Sequence, residues 1–249
     1  VWLGIFGPAP PGTVGWLQAW QPLIAATIAS TVASVAAYIA FGNTTRSLEH
    51  AEYLERNRRY RKHAATRAVL PLALSQVTGY AERSAHALNE LIAKCMEEKL
   101  PAMIAPDDLV QPLPSETLKT LAEFIEYSDA VDVNVLEATV ASIQIHDSRL
   151  RDLVKVNRDP SEEGIIIQTQ IESYIIDAAA VFAGASANYD YARRRQSQLP
   201  GQLSWDRVIN ALTNMRYWDE EHPRLYKIIE QRRKFTEGPF EILKIDGGG

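Results

Sequence analysis

The chain has 249 residues, a formal net charge of −5 and a single cysteine, Cys95. The modest acidic balance argues against a nucleic-acid-binding surface, and one cysteine excludes an intramolecular disulfide framework. The length suffices for one membrane segment plus a helical domain able to bury its own core. Val1 in place of an initiator Met reads as a fragment boundary or a non-ATG start.

The first forty-five residues contain no Asp, Glu, Lys, Arg or His, whereas the next twenty-two contain seven Lys or Arg. Residues 1–19 read as a short uncharged tail with Pro8, Pro10, Pro11 and Gly12. Residues 20–42 read as a transmembrane helix. Its apolar run, Leu23 to Phe41, would be about 28 Å long as a helix, close to the roughly 30 Å bilayer core. The strong drivers are Leu23, Ile24, Ile28, Val32, Val35, Ile39 and Phe41. Together they contribute on the order of −2 to −4 kcal/mol to insertion, enough to favour it but not by a wide margin. Trp16, Trp20 and Tyr38 suit the interfacial belt. A signal peptide fits less well, because no basic side chain precedes the run and the run is too long. A buried helix of a soluble protein is the stronger rival.

Basic residues lie only on the C-terminal side of the span, with Arg46, Arg56, Arg58, Arg59, Arg61 and Lys62 as the juxtamembrane set. The positive-inside rule then predicts a single-pass protein of the plasma (inner) membrane, N-terminus outside and the following domain cytosolic. Within the span, Ala25, Ala29, Ala33 and Ala37 repeat every four residues beside a parallel row with Ser30 and Ser34. Small-xxx-small rows allow close helix approach, so a homo-oligomer or a membrane-protein partner is expected alongside the lipid bilayer.

Residues 43–63 read as a polar stalk helix carrying the i,i+4 pairs Glu52–Arg56 and Glu55–Arg59. On a straight helix Arg56 lies about 22 Å beyond Phe41, too far for simple head-group contact at a Debye length of roughly 8 Å. Residues 64–235 read as an antiparallel helical bundle, and 236–249 as a C-terminal tail. The first bundle helix shows an apolar period from Ala65 to Ile92, with Pro71 expected to kink or restart it and Pro101 to end it. Ser115 is an expected N-cap for the next helix, with Leu118, Leu121, Ala122 and Ile125 on its face.

Ser128 to Val135 alternates like a strand, yet Asn134 with Glu137 also reads as a capping box restarting a helix. Leu136, Val140, Ile143, Leu150 and Leu153 carry that helix to Asn157. Ile167, Ile171, Tyr174, Ile175, Ala178, Phe182 and Ala185 form a broad stripe expected at the centre of the core. Ser204 is expected to cap a last amphipathic stretch interrupted at Pro223. The fold class is therefore all-α: an N-terminal transmembrane helix, a polar stalk and a bundle.

Chemistry is harder to find. No histidine belongs to a Glu-x-x-His pair, and no phosphate loop, nucleophile elbow, HExxH or paired CxxC occurs. Glu82, His86 and Glu90 share one helix face at i,i+4 spacing and are the leading metal-ligand candidates, ahead of the acidic cluster Asp219 to His222, although such a triplet more often marks a solvated face. His146 falls on the apolar seam of its helix and reads as a hydrogen-bonded core histidine; Asp132, on the same seam, is about 21 Å away. Asp219 to His222 reads as an exposed helix-end loop. Nothing marks Cys95 as an activated thiol. The acidic stretch Asp107 to Glu137 and the basic stretches Arg193–Arg195 and Arg224–Lys234 either dock on each other, recruit a partner or are solvated surface.

No catalytic residue and no cofactor is assigned, which leans the reading away from an enzyme. The leading expectation is a membrane-anchored interaction or scaffolding module. The rivals are a membrane-tethered enzyme or metal-binding bundle with a site assembled from scattered residues, and a subunit of a membrane pore or export assembly.

Overall fold

The structure is a computed structural model that describes residues 13–128, 133–159 and 164–240, with side chains from Trp20 onward. The fold is all-α, as the periodicity predicts. Among the described residues six helices have ten or more residues: α1 (Thr13–Ile92), α2 (Ser115–Tyr127), α3 (Asn134–Arg158), α4 (Gln168–Ala187), α6 (Trp205–Asn214) and α7 (Pro223–Arg233). A single turn, α5 (Tyr189–Ala192), follows α4. No strand occurs among the described residues; isolated bridges link Lys99 to Met96 and to Ile167. The chain divides into two units, Val1–Arg59 and Tyr60–Gly249.

In the first unit α1 begins at Thr13, inside the stretch expected as a tail. The segments of that tail before Thr13 lie outside the described residues, as does the side chain of Trp16. Among the described residues one helix is long and apolar enough to cross a membrane, and none of its apolar window is buried. Leu23, Ile28, Val32 and Phe41 are 58%, 60%, 63% and 74% exposed. The hydroxyls of Thr27, Thr31, Thr44 and Thr45 each donate to the carbonyl four residues earlier, at 2.8–3.0 Å. Both expected stalk pairs form: Glu52–Arg56 at 3.3 Å and Glu55–Arg59 at 3.7 Å.

In the second unit α4 is the central helix, packing against α3, α6 and α7. Ile171, Ile175, Ala178 and Ala185 of the expected stripe are fully buried, as are Ile176, Ala179 and Val181 outside it. The helix is thus apolar nearly all round, the composition of a helix with neighbours on every side. Ile167, expected on the stripe, is instead the exposed residue before the first turn. At Gly184 a Cβ would overlap Thr139 Oγ1 of α3, so glycine sets how closely these helices approach.

Several boundaries differ from expectation. α1 runs through Pro71 without interruption. Proline costs a helix interior about 3 kcal/mol. Burial of Leu70, Leu74 and Val77 around it offsets this at about 1.5–3 kcal/mol each. The helix ends at Ile92 rather than Pro101. There the chain enters a tight turn in which Met96 and Lys99 exchange backbone hydrogen bonds at 2.8 and 2.9 Å, with Glu97 and Glu98 in left-handed conformation. Ser115 and Asn134 are the first helical residues of α2 and α3, not caps, and neither end has a side-chain cap. Ser204 does occupy the position before α6, again without a side-chain bond.

The face that α2 buries is Thr117, Leu121 and Phe124, whereas Ala122 is exposed. The break between α2 and α3 favours a restart over a strand, although residues 129–132 lie outside the described ones. The first residues of the expected tail, 236–240, pack on the core: Trp205 Nε1 donates to the Thr236 carbonyl at 3.1 Å, and Phe240 sits against the main hydrophobic cluster. At Gly238 a Cβ would collide with the Leu203 carbonyl, so this strap also depends on glycine.

Candidate functional site

The buried stripe of α3 runs Leu136, Thr139, Ile143, His146, Leu150, Leu153, Asn157, alternating steps of three and four. Three of its members are polar. Thr139 donates to the Val135 carbonyl. Asn157 accepts from the amides of Ile104 and Ala105 at 3.0 and 2.8 Å and donates to the Pro101 carbonyl at 2.8 Å, holding the 101–105 linker. His146 is the exception. It is fully buried, and neither ring nitrogen has a hydrogen-bond partner. This corrects the expectation of a hydrogen-bonded core histidine; Asp132 lies outside the described residues. Leaving a buried polar group unsatisfied costs about 1–3 kcal/mol.

His146 lies against a cavity of about 530 Å³ between α3, α4, α6, α7 and the 236–240 strap. Ser142, Ile145, His146 and Arg149 line it from α3 at i, i+3, i+4 and i+7, one face of that helix. Asp177 and Ala180 line it from α4, Trp205 from α6 and Arg232 from α7. Asp177 takes Arg232 Nη1 on Oδ1 at 3.0 Å and Arg149 on Oδ2. Both oxygens of the only carboxylate that lines the cavity among the described residues are therefore engaged. Two guanidinium ions and one carboxylate leave a net charge of +1 there.

Burial pushes the His146 pKa down to about 4, against the opposing pull of Asp177. At neutral pH the ring is uncharged, with one N–H donor and one bare acceptor nitrogen. A base of that strength is poorly matched to proton abstraction near pH 7. The arrangement suits binding better than acid–base catalysis. Tyr80 packs edge-on against the imidazole with centroids 6.0 Å apart, and burial holds its phenol up at about 12.

The sequence-level candidates sit elsewhere. Glu82, His86 and Glu90 are exposed on α1, around Tyr217. His86 Nδ1 lies 3.4 Å from the Tyr217 hydroxyl, whose pKa is raised by burial first and then by the charges of Glu82 and Glu90. Among the described residues no group of three or more His, Cys, Asp or Glu is placed to hold a metal ion. Burial and the charge of Glu172 push the Cys95 thiol up, away from reactivity.

Asp219 to Glu221 form an exposed loop, as expected, with His222 half-buried beside Tyr217. The arginines of α7 pair with Glu98, Glu172, Asp177 and Asp206 rather than with any described residue of the acidic 107–137 stretch. Of the juxtamembrane set, Arg56, Arg58 and Arg59 join the exposed stalk pairs, Arg61 is exposed and Lys62 donates to the Tyr127 hydroxyl at 2.8 Å. Ala25, Ala29, Ala33, Ala37, Ser30 and Ser34 are all exposed.

The cavity is the site that sequence reasoning missed. Its signal was present in part, since His146 falls on the apolar seam of its helix. Comparison of the chain with protein-family models, curated proteins and solved structures finds no match.

Proposed function

We propose that the chain is a single-pass membrane protein whose helical bundle serves as an interaction module on the cytosolic face. The observation that carries this reading is the unburied apolar surface of Leu23 to Phe41. A core helix of a soluble protein would hide those side chains against its own fold, and here they are exposed. The threonine hydroxyls turned onto their own backbone support the same reading, because a bilayer offers them no water. The basic residues that follow the span, Arg46 and Arg56 to Lys62, support an N-terminus outside and a bundle in the cytosol.

The row Ala25, Ala29, Ala33 and Ala37 is the proposed contact with a second copy or another membrane helix. Membrane fractions washed with alkaline carbonate should retain the protein, and protease added to inverted vesicles should digest the bundle. Release by carbonate sinks the anchor, and protection of the bundle in inverted vesicles reverses the topology. Crosslinking in intact membranes should trap a dimer or a heteromeric complex; recovery of monomer alone would remove the interaction module. The cavity beside His146 gives some weight to a second reading, in which the bundle also carries a site assembled from scattered residues.

A further inference from the structure

We infer that the cavity between α3, α4 and α7 is a binding site for a small organic monocarboxylate with an apolar body. The inference does not depend on the membrane anchor. It rests on three features of the cavity.

The first is charge. Among the described residues Arg149, Arg232 and Asp177 are the charged groups lining the cavity, and they sum to +1. Each guanidinium has five N–H donors in a fixed fork, and Asp177 can occupy only some of them. The donors that remain match a carboxylate. A cation is disfavoured, because the negative charge of Asp177 already faces two arginines.

The second is shape. A volume of about 530 Å³ falls in the range of small-molecule sites, roughly 300–1,000 Å³. Ile145, Trp205 and Phe240 supply apolar walls, and the indole N–H of Trp205 is already committed to Thr236. The walls therefore offer contact area, and the polar recognition is left to the arginines and the imidazole.

The third is the imidazole itself. His146 is fully buried at the edge of the cavity with both nitrogens unpartnered. Of the three polar residues on its stripe it alone bears this cost. A ligand that draws one of those nitrogens toward the cavity recovers part of it, which ties binding to the one unexplained polar group in the core of α3.

The test is calorimetric titration of the full chain in zwitterionic micelles with 3-phenylpropionate, against its neutral isostere 3-phenylpropanamide and against empty micelles. Saturable binding of the carboxylate, at least tenfold tighter than the amide, is expected. Arg232→Gln should weaken the carboxylate at least tenfold and leave the amide unchanged. Ser142→Phe, which fills the cavity from α3 without touching a charge, should abolish both, with thermal melts establishing that each variant is folded. Absence of saturable carboxylate binding overturns the proposal. So does equal affinity for acid and amide, or undiminished binding in folded Ser142→Phe.

Discussion

Arg232 of α7 donates to Asp177 of α4 at 3.0 Å, and Arg149 of α3 holds the other oxygen of the same carboxylate. One side chain on the central helix thereby ties two neighbouring helices together. Asp177 is 19% exposed, so water screens it less than the stalk pairs, whose side chains are 56–79% exposed. Asp177→Asn would leave two guanidinium ions facing each other with no counter-charge. It should destabilise the bundle by about 1–2 kcal/mol, whereas Glu52→Gln should change stability by less than about 0.5 kcal/mol. Chemical denaturation of both variants checks the contrast.

The pH dependence of stability should carry the signature of His146. Its pKa falls from 6.5 in the unfolded chain to about 4 in the fold, so the native state favours the neutral ring. The stabilisation is fully present above pH 6.5. Between pH 6.5 and 4 the unfolded chain binds the extra proton, and stability declines as pH falls. The total is about 3 kcal/mol, at 1.36 kcal/mol per pKa unit. Asp177, Asp147 and Arg149 act on this ring, so the comparison must keep them in place. His146→Leu should flatten the decline across that window; an unchanged pH profile would show that the ring is not buried neutral.

Gly184 predicts a non-additive pair. Glycine to alanine in a helix interior is intrinsically favourable by about 1 kcal/mol. Here the new methyl would overlap Thr139 Oγ1 and lie 3.1 Å from the ring of Phe240. Gly184→Ala should therefore destabilise by about 1–3 kcal/mol. In a Thr139→Ala background the main overlap is gone and the penalty should shrink by at least about 1 kcal/mol, measured as a double-mutant cycle.

Glu172 is a carboxylate inside the core, 3% exposed, held by Arg224 Nε at 2.9 Å and by Gln168 Nε2 at 2.8 Å. Removing the cation strands a buried charge, which typically costs about 3–5 kcal/mol. Arg224→Gln should fall toward the low end of that range, since Gln168 still donates. Arg233→Gln, which breaks pairs to the exposed Asp206 and Glu230, should cost less than about 1 kcal/mol. Equal effects in thermal melts would place Glu172 in contact with solvent.

The proposed anchor is sensitive to one charge. The strong apolar drivers of the span sum to on the order of −2 to −4 kcal/mol, and an arginine near its centre costs about 2.5–3.5 kcal/mol. Val32→Arg should shift the protein from the carbonate-resistant to the carbonate-extractable fraction, whereas Ala36→Leu should not. Retention of Val32→Arg in the membrane pellet would count against a bilayer-spanning segment.

The sequence by itself determined what depends on neighbours along the chain. An apolar run without charge, the stalk pairs at i,i+4 and the helical period of α4 are all local, and all appear in the structure. The stretch expected to run from Ser204 to a break at Pro223, by contrast, already ends at Asn214, and α7 begins at Pro223. Pro71 marks the limit of that reasoning. Its local preference is to break a helix, and burial of Leu70, Leu74 and Val77 overrides it. Sequence also showed that His146 lies on an apolar seam, but not whether anything would meet its nitrogens. That was decided by tertiary structure alone. Asp177 lies 28 residues from Arg149 and 55 from Arg232. No periodicity encodes which helices place those three charges around one cavity, nor that the 236–240 strap folds back onto Trp205 to wall it. Helix formation follows from side chains three and four positions apart; the site follows from packing α3, α6 and α7 on α4, which brings distant side chains within hydrogen-bonding range.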